Sequence, residues 1–139
     1  MTIDIETIVH EGGIMPRYMT HGAACADVAI PEDVTLLPGE SVKVDLRISF
    51  NIPHGFQIKM YPRSSLLVKY NIMQPTSIID EDYHGHVHVP LINVGTDEVT
   101  LKAGERVAQI EPQEKIYIPD WPTVDNARDQ HGFGGTGTC

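Results

Sequence analysis

The sequence has few cysteines and few basic residues, and each shortage excludes a class of protein. Its 139 residues include two cysteines, Cys25 and Cys139. They lie too far apart for a disulfide framework or a zinc knuckle, so reduced thiols are expected. Ten Lys and Arg against 19 Asp and Glu give a formal charge of −9. Nucleic acid is therefore not an expected partner, because its phosphates are bound mainly by clustered basic side chains.

The sequence also lacks a long apolar stretch. No run approaches the roughly 18 to 20 apolar residues that a membrane-spanning helix requires. Residues 1–11 include three acidic side chains where a signal peptide has basic and then apolar ones. We therefore expect no membrane partner and a cytoplasmic location. With 41% hydrophobic and 21% charged residues, the composition is typical of a single folded domain.

Alternation of apolar and polar residues recurs along the chain, which predicts short strands. Residues 41–50 have the clearest pattern, that of one half-buried strand. Similar runs, separated by Pro and Gly turn signals, predict strands at 3–9, 55–61, 84–93, 98–101, 106–112 and 114–118. Only Ser64–Tyr70 has the pattern of a helix. We predict an all-β, jelly-roll-like sandwich or barrel over residues 1–120, with Pro90 at a bulge or edge, and a flexible arm over 121–139.

The segment Pro-Arg-Ser-Ser-Leu at 62–66 joins a predicted strand to the predicted helix. At such a junction, backbone N–H groups and the planar Arg63 guanidinium can converge on one anion. A Ser-capped helix with a surface arginine would have the same sequence, so the segment alone leaves both interpretations open.

A second segment, Ile-Ile-Asp-Glu-Asp-Tyr-His-Gly at 78–85, places acidic residues and an aromatic ring in a predicted hairpin loop. A solvated turn is the simpler interpretation of these residues alone. Alternatively, the isoleucines anchor the Asp80 backbone, so that its carboxylate can orient a water beside the Tyr83 ring.

Glycines and histidines give two further patterns. Residues 128–137 combine an arginine, a phenylalanine and four glycines, which indicates either a disordered tail or a loop whose N–H groups wrap phosphates. His84, His86 and His88 alternate on a predicted strand and would share one face. We expect a polar face there and not a zinc site, because three imidazoles on one strand rarely converge on one ion.

Taken in chain order, these segments resemble the five motifs of the trimeric dUTPase family. The matching stretches are residues 22–28, 62–66, 78–85, 104–110 and 128–137. Five ordered motifs over nearly the whole chain are far more specific than one. The resemblance implies a jelly roll that assembles as a homotrimer, in which the subunits share each active site. The arm at 121–139 would close over a neighbour's site.

The resemblance also implies hydrolysis of dUTP to dUMP and pyrophosphate with Mg²⁺, which lowers dUTP and supplies dUMP for thymidylate synthesis. Asp80 would hold the 3′-hydroxyl and orient the water that attacks the α-phosphorus. Tyr83 would pack against the deoxyribose and exclude a 2′-hydroxyl. Mg²⁺ would bridge the phosphates, while Asp27 would reach it through water or support the site. The other residues assigned to substrate binding are Arg63, Ser64, Ser65, Gln74, Ile79, His88, Gln109, Arg128, Phe133, Gly134, Gly135 and Thr136.

Individual contacts follow from the same resemblance. Arg63, Ser64 and Gln109 would contact the phosphates, and Phe133 would stack on uracil. The tail residues Arg128, Gly134, Gly135 and Thr136 would cover the γ-phosphate. The backbone over 79–89 would pair with the uracil edge, where the methyl group of thymine and the amino group of cytosine do not fit.

Several positions depart from the family pattern. Ser65 and Ser77 replace common glycines, and Cys25-Ala26 replaces Gly-Tyr before the aspartate. His88 occupies another frequent glycine position beside the uracil. Side chains at such positions crowd places where the backbone approaches the ligand, so we expect weaker substrate binding or rearranged loops, and at His88 an effect on base selectivity.

Two other functions are compatible with the fold. The related dCTP deaminases share the segment Arg-Ser-Ser-Leu, but their catalytic glutamate aligns with Pro90, which is neither an acid nor a base. A noncatalytic nucleotide-sensing or protein-binding module is the alternative from another class. The presence of Asp80, Tyr83 and Arg128 favours a catalytic dUTPase over both.

Overall fold

A computed structural model of the chain describes residues 1–124. The predicted ligands Arg128, Phe133, Gly134, Gly135 and Thr136, with most of the predicted arm, lie outside the described residues. The described part consists mostly of short strands with one helix, which confirms the all-β prediction. Its elements are β1 Glu6–Val9, β2 Ala26–Ala29, β3 Val34–Leu36, β4 Ser41–Asp45, β5 Ile48–Asn51, β6 Phe56–Pro62, α1 Ser64–Tyr70, β7 Ile72–Met73, β8 Ser77–Ile79, β9 His88–Asn93, β10 Val99–Leu101 and β11 Arg106–Glu114.

The strands pair antiparallel and are distributed over several small sheets. A four-stranded sheet has the order β2-β11-β6-β8, and a three-stranded sheet has the order β4-β9-β7. In addition, β1 pairs with β5, and β3 pairs with β10. Neighbours in the sequence are therefore seldom neighbours in a sheet, which is typical of a chain that wraps around one core as a jelly roll.

The core is formed by apolar side chains from every sheet. Leu36, Ile48, Met60, Leu91 and Val107 come from five strands and are at most 1% exposed. Burying one such side chain contributes about 1.5–3 kcal/mol relative to leaving it in water. Because most strands bury residues on one face, the alternation of apolar residues indicates most of the strands correctly.

The stretch 41–50 is two strands, and the prediction of a single strand was wrong. β4 pairs with β9, whereas β5 pairs with β1. Between them Arg47 has a φ of 57°, in the left-handed region, and its N–H donates to Asp45 Oδ1 at 2.7 Å. The buried face continues through this corner, so the apolar pattern gives no sign that the chain changes sheets there.

Other strand predictions were wrong at their ends. β1 begins at Glu6 and β9 begins at His88, both later than predicted. A single strand, β11, replaces the two predicted over 106–118, and residues 115–118 lie outside it. The unpredicted strands β2, β3, β7 and β8 have only two to four residues, which is too short to show a period.

Helix α1 has the predicted bounds, but it is not capped by a serine. Its N-cap residue is Arg63, whose side chain makes no capping hydrogen bond, and Ser64 is the first helical residue. The helix ends at Asn71, whose φ of 56° places it in the left-handed region. No helix within residues 1–124 is long and apolar enough to cross a membrane.

Pro90 occupies a local edge, as predicted. It lies opposite Lys43 of β4, while β7 on the other side of β9 reaches only Asn93 and Ile92. Proline has no N–H to donate, and no strand on the β7 side requires one at this position.

Candidate active site

Two groups of polar side chains lie at opposite ends of β6. The arginine cluster, formed by Asp27, Arg63, Arg106 and Gln109, lies where β6 leads into α1. The acidic turn, residues 79–83, lies near the start of β6. The first group contains predicted phosphate ligands, and the second contains the predicted catalytic carboxylate.

Strand pairing assembles the arginine cluster from distant parts of the sequence. Gln109 on β11 lies opposite Asp27 on β2 and Tyr61 on β6. Asp27 Oδ2 lies 3.1 Å from Arg106 Nη1 and 3.9 Å from Arg63 Nε. The Asp27 side chain is only 11% exposed, so water screens its charge weakly and its attraction to both guanidinium groups is strong. Asp27 therefore orients the two arginines.

Arg63 and Gln109 are held further by main-chain carbonyls. Arg63 Nη1 donates to Arg106 O at 3.0 Å, and Gln109 Nε2 donates to Pro62 O at 3.1 Å. A guanidinium has five N–H donors and an amide has two, so one such contact leaves donor capacity for an anion. The motif segments 22–28, 62–66 and 104–110 meet in this cluster.

Three further residues predicted to bind substrate lie on nearby elements. Ser64 is exposed and Ser65 is half-buried in the first turn of α1, where helix N–H groups lack helical acceptors. Gln74 is buried and donates its amide N–H to Val107 O. Gln74 therefore links the segment between β7 and β8 to β11, the strand that also contains Gln109.

Asp80 lies between two anchored residues in the acidic turn. Ile79 is 1% exposed and pairs with Ile58. Tyr83 is 4% exposed, and its hydroxyl donates to His86 O at 2.6 Å. A hydrogen bond of 3.1 Å from Tyr83 N to Asp80 O closes the turn. The Asp80 backbone is thus fixed at both sides, as the interpretation of an anchored carboxylate requires.

The Tyr83 hydroxyl stays a hydrogen-bond donor over the physiological pH range. Burial and, to a smaller extent, the charge of Asp45 raise the pKa of Tyr83 above its ordinary value. Its bond to His86 O therefore persists and holds the ring in place.

The acidic turn is not a hairpin loop, and that prediction was wrong. β8, before the turn, pairs with β6, whereas β9, after it, pairs with β4 and β7. The turn instead connects two different sheets.

The predicted shared face of three histidines was also wrong, because His84 and His86 precede β9. His86 Nδ1 lies 3.0 Å from Asp45 Oδ2, and its ring stacks on His10 at 4.1 Å between centroids. His88 Nδ1 donates to His86 O at 2.9 Å. Among residues 1–124, no three His, Cys, Asp or Glu side chains are grouped to hold a metal.

Glu81 connects the acidic turn to two other elements. Its carboxylate contacts Lys115 Nζ, lies 2.9 Å from His54 Nδ1 and accepts the Gly55 N–H at 3.3 Å. The hydrogen bond from Lys115, helped by those from His54 and Gly55, lowers the pKa of Glu81 to about 2. The bond with Glu81 in turn raises the pKa of Lys115. Sequence reasoning assigned neither residue a role, because nothing local to Lys115 links it to the turn.

The two groups are well separated within one chain. β8 runs antiparallel to β6 with Ile79 opposite Ile58, so Asp80 lies toward Gln57, while Arg63 follows the other end of the strand. At about 3.3 Å per residue, that length of strand spans roughly 20 Å. Reacting atoms must approach to about 3–3.5 Å. Within one chain, this spacing keeps the acidic turn and the arginine cluster apart.

Solved structures show the same fold. The dUTPase from phage phi11 of S. aureus has a TM-score of 0.79 at 19% identity, with 89% of this chain and 97% of that chain covered. The dUTPase from Streptococcus mutans has a TM-score of 0.75 at 26% identity, with 82% and 97% covered. These similarities define a protein with the jelly-roll fold of these dUTPases.

Sequence comparison identifies the family to which the chain belongs. A model of the dUTPase family matches residues 11–139. The deoxyuridine 5′-triphosphate nucleotidohydrolase of Chlamydia muridarum is 35% identical, covering 94% of this chain and 96% of the relative. That of Zymomonas mobilis is 33% identical with 97% of each covered. The chain belongs to the dUTPase family, whose members are enzymes that hydrolyse dUTP, and these matches do not favour the dCTP deaminase alternative.

Proposed function

We propose that the chain hydrolyses dUTP to dUMP and pyrophosphate as a homotrimer, with Asp80 orienting the water that attacks the α-phosphorus. The observation that carries this proposal is the separation of the arginine cluster from the acidic turn along β6. Copies related by a closed rotation can pair the cluster of one with the turn of the next. Three copies would then form three equivalent sites, as the family resemblance implies.

The chemistry requires charge neutralisation and alignment more than a covalent nucleophile. Arg63, Ser64 and Gln109 would bind the phosphates, and Asp27 holds Arg63 in place through a contact of 3.9 Å. From the neighbouring subunit, Asp80 would orient the attacking water and accept its proton as the water oxygen bonds to the α-phosphorus. The electron pair of the broken P–O bond leaves with pyrophosphate.

The residues present fit a Mg²⁺ ion held mainly by the substrate. Mg²⁺ usually keeps several waters and binds through phosphates plus one or two carboxylates. Asp27 already pairs with Arg106 and Arg63, which suits it to contact the ion through water. When bound, Mg²⁺ would neutralise phosphate charge. A dUTPase mutant from phage phi11 has been described with a structural Mg(II) ion.

Selectivity for the nucleoside would come from the acidic turn and the residues after it. Tyr83 is held by its hydroxyl and by burial, so it can form a rigid wall against the deoxyribose and leave no room for a 2′-hydroxyl. The backbone over 79–89 would pair with uracil, with His88 beside it. A phage 80alpha dUTPase mutant has been solved with dUpNHpp, a ligand of the same nucleotide class.

The arm is part of the proposal. Residues 1–120 would form the β domain, and residues 121–139 would reach a neighbouring subunit, where Arg128, Phe133, Gly134, Gly135 and Thr136 cover the substrate. The residues that lead into this segment support the idea, because Ile116, Tyr117 and Trp121 are 93%, 67% and 71% exposed. Apolar side chains in such a run are commonly covered by a partner. A cytoplasmic location is also part of the proposal.

The test is release of pyrophosphate from dUTP, dCTP, dTTP and UTP, each with Mg²⁺ and with chelator, while ammonia is followed in parallel. Mg²⁺-dependent cleavage of dUTP alone is the expected result. Ammonia from dCTP would show deamination in spite of Pro90. No reaction with any of the four would replace the proposal with a noncatalytic binding module.

A further inference from the structure

Glu81 makes contacts that the proposed reaction does not use. Its carboxylate joins the acidic turn to the β5–β6 connection at His54 and Gly55 and to Lys115 just after β11. Lys115 N also donates to Gly55 O at 2.8 Å. The side chains of Glu81 and Lys115 are 21% and 22% exposed. Because the two charged groups are largely shielded from water and contact each other, each fixes the position of the other.

The charges of two carboxylates act on Lys115. Its ammonium contacts Glu81, and the charge of Asp80 also helps to raise the pKa of Lys115. An ammonium on a flexible stem has three donors and no fixed fork geometry. If its contact with Glu81 were lost, Lys115 could shift toward the carboxylate of Asp80, the next acidic group along the turn.

A shift of this kind would impair the proposed reaction. The Asp80 carboxylate must present an oxygen to the attacking water. An ammonium bound to that oxygen would compete for the lone pair and make the carboxylate a weaker acceptor. The position of Lys115 therefore bears on turnover more than on nucleotide binding.

Resting on the proposed function, we propose that Glu81 is a positioning residue that holds Lys115 and thereby keeps the ammonium off the Asp80 carboxylate. Glu81 itself does not contact the substrate. Glu81 affects turnover only through Lys115. Substitutions of these two residues should therefore have effects on kcat that do not add.

The experiment compares Glu81→Gln, Lys115→Met and the double variant in steady-state hydrolysis of dUTP. In Glu81→Gln, kcat should fall about tenfold while KM changes less than about twofold. The kcat of Lys115→Met should fall less than that of Glu81→Gln. The double variant should have a kcat near that of the parent, because it has no ammonium at position 115 to bind Asp80. The matched control is Asp33→Asn, since Asp33 also accepts a backbone N–H and pairs with a lysine, Lys102, on another part of the surface.

Two outcomes would overturn the inference: parental kcat in Glu81→Gln, or no recovery in the double variant, which would make Glu81 a structural residue only. A crystal structure of Glu81→Gln gives a readout without turnover, because Lys115 Nζ should then lie within hydrogen-bond distance of Asp80. If the parent protein itself fails to cleave dUTP, the proposed function is wrong, whereas the movement of Lys115 still tests the positioning.

Discussion

Asp27 Oδ2 accepts a hydrogen bond from Arg106 Nη1 at 3.1 Å, and this pair joins β2 to β11 beside the proposed phosphate ligands. The main-chain carbonyl of Arg106 also holds Arg63, because it accepts a hydrogen bond from Arg63 Nη1 at 3.0 Å. The side chain of Arg106 is 43% exposed, whereas that of Asp27 is 11% exposed. Arg106 was not predicted as a ligand, although it lies within the motif segment 104–110.

Arg106→Met should weaken substrate binding, because Asp27 would then pull Arg63 toward itself and away from phosphate. KM for dUTP should rise about tenfold, with a smaller effect on kcat, since the loss is mainly one of binding. Steady-state kinetics with Mg²⁺ measures both constants. Lys102→Met, which removes an exposed ion pair of 3.3 Å with Asp33, is the control and should be neutral. An unchanged KM in Arg106→Met would show that Arg106 does not position Arg63 for phosphate binding.

Asp80→Asn should keep nucleotide binding and lose turnover. The amide has nearly the shape of the carboxylate but is a much weaker acceptor for the proton of the water. Calorimetry with a non-hydrolysable dUTP analogue measures the affinity, and pyrophosphate release measures the rate. Hydrolysis at the parental rate in this variant would remove the role assigned to Asp80.

Mixed trimers test whether the two halves of the site come from different subunits. Arg63→Ala and Asp80→Asn should each be inactive alone. After the two are unfolded together and refolded at equal amounts, about one quarter of the sites should be intact, because each site draws Arg63 and Asp80 from independent copies. Each variant refolded alone is the control. Absence of recovery, with mixed trimers confirmed by mass spectrometry, would place both residues in one subunit's site.

Truncation after Arg128 should destroy activity while the trimer survives. The removed residues include the proposed uracil and phosphate contacts, whereas the core lies within residues 1–120. Light scattering measures the assembly, and the pyrophosphate assay measures the activity. A truncated protein with parental activity would refute the covering role of the arm.

Stability should fall in acid partly through Glu81. Its pKa is about 2 in the folded chain, lowered chiefly by the hydrogen bond from Lys115, and an unfolded glutamate titrates near its ordinary value of about 4.3. The stabilisation is therefore complete above the unfolded value and is lost as the pH falls toward the folded one. Thermal unfolding from pH 6 to pH 2 should show a shallower decline for Glu81→Gln than for the parent. Equal slopes would mean that the contact with Lys115 contributes no stability.

Local patterns in the sequence predicted a large part of the fold. Apolar alternation and turn residues, which act over a few neighbours, predicted the central residues of β4, β6 and β10 and the bounds of α1. The corner at Arg47 was not predictable in this way, since its left-handed backbone depends on where β5 finds a partner. The short strands β7 and β8 are likewise formed by pairing with distant strands.

The family motifs identified most residues of the candidate site but not their arrangement. Arg63, Asp27 and Gln109 are far apart in the sequence and meet only because β11 lies between β2 and β6. The contact between Glu81 and Lys115 depends on the same sheet order, so no local pattern could indicate it.

By itself, the sequence determined that this protein is a small β enzyme of the dUTPase family, because residue types and turn signals act locally and its motifs stand in a fixed order. Only the tertiary structure decided which side chains lie together. The pairing of β6 with β8 directs the acidic turn to one end of the strand, and its pairing with β11 gathers the arginine cluster at the other. Strand pairing is set by the burial of the whole core, which no short segment encodes.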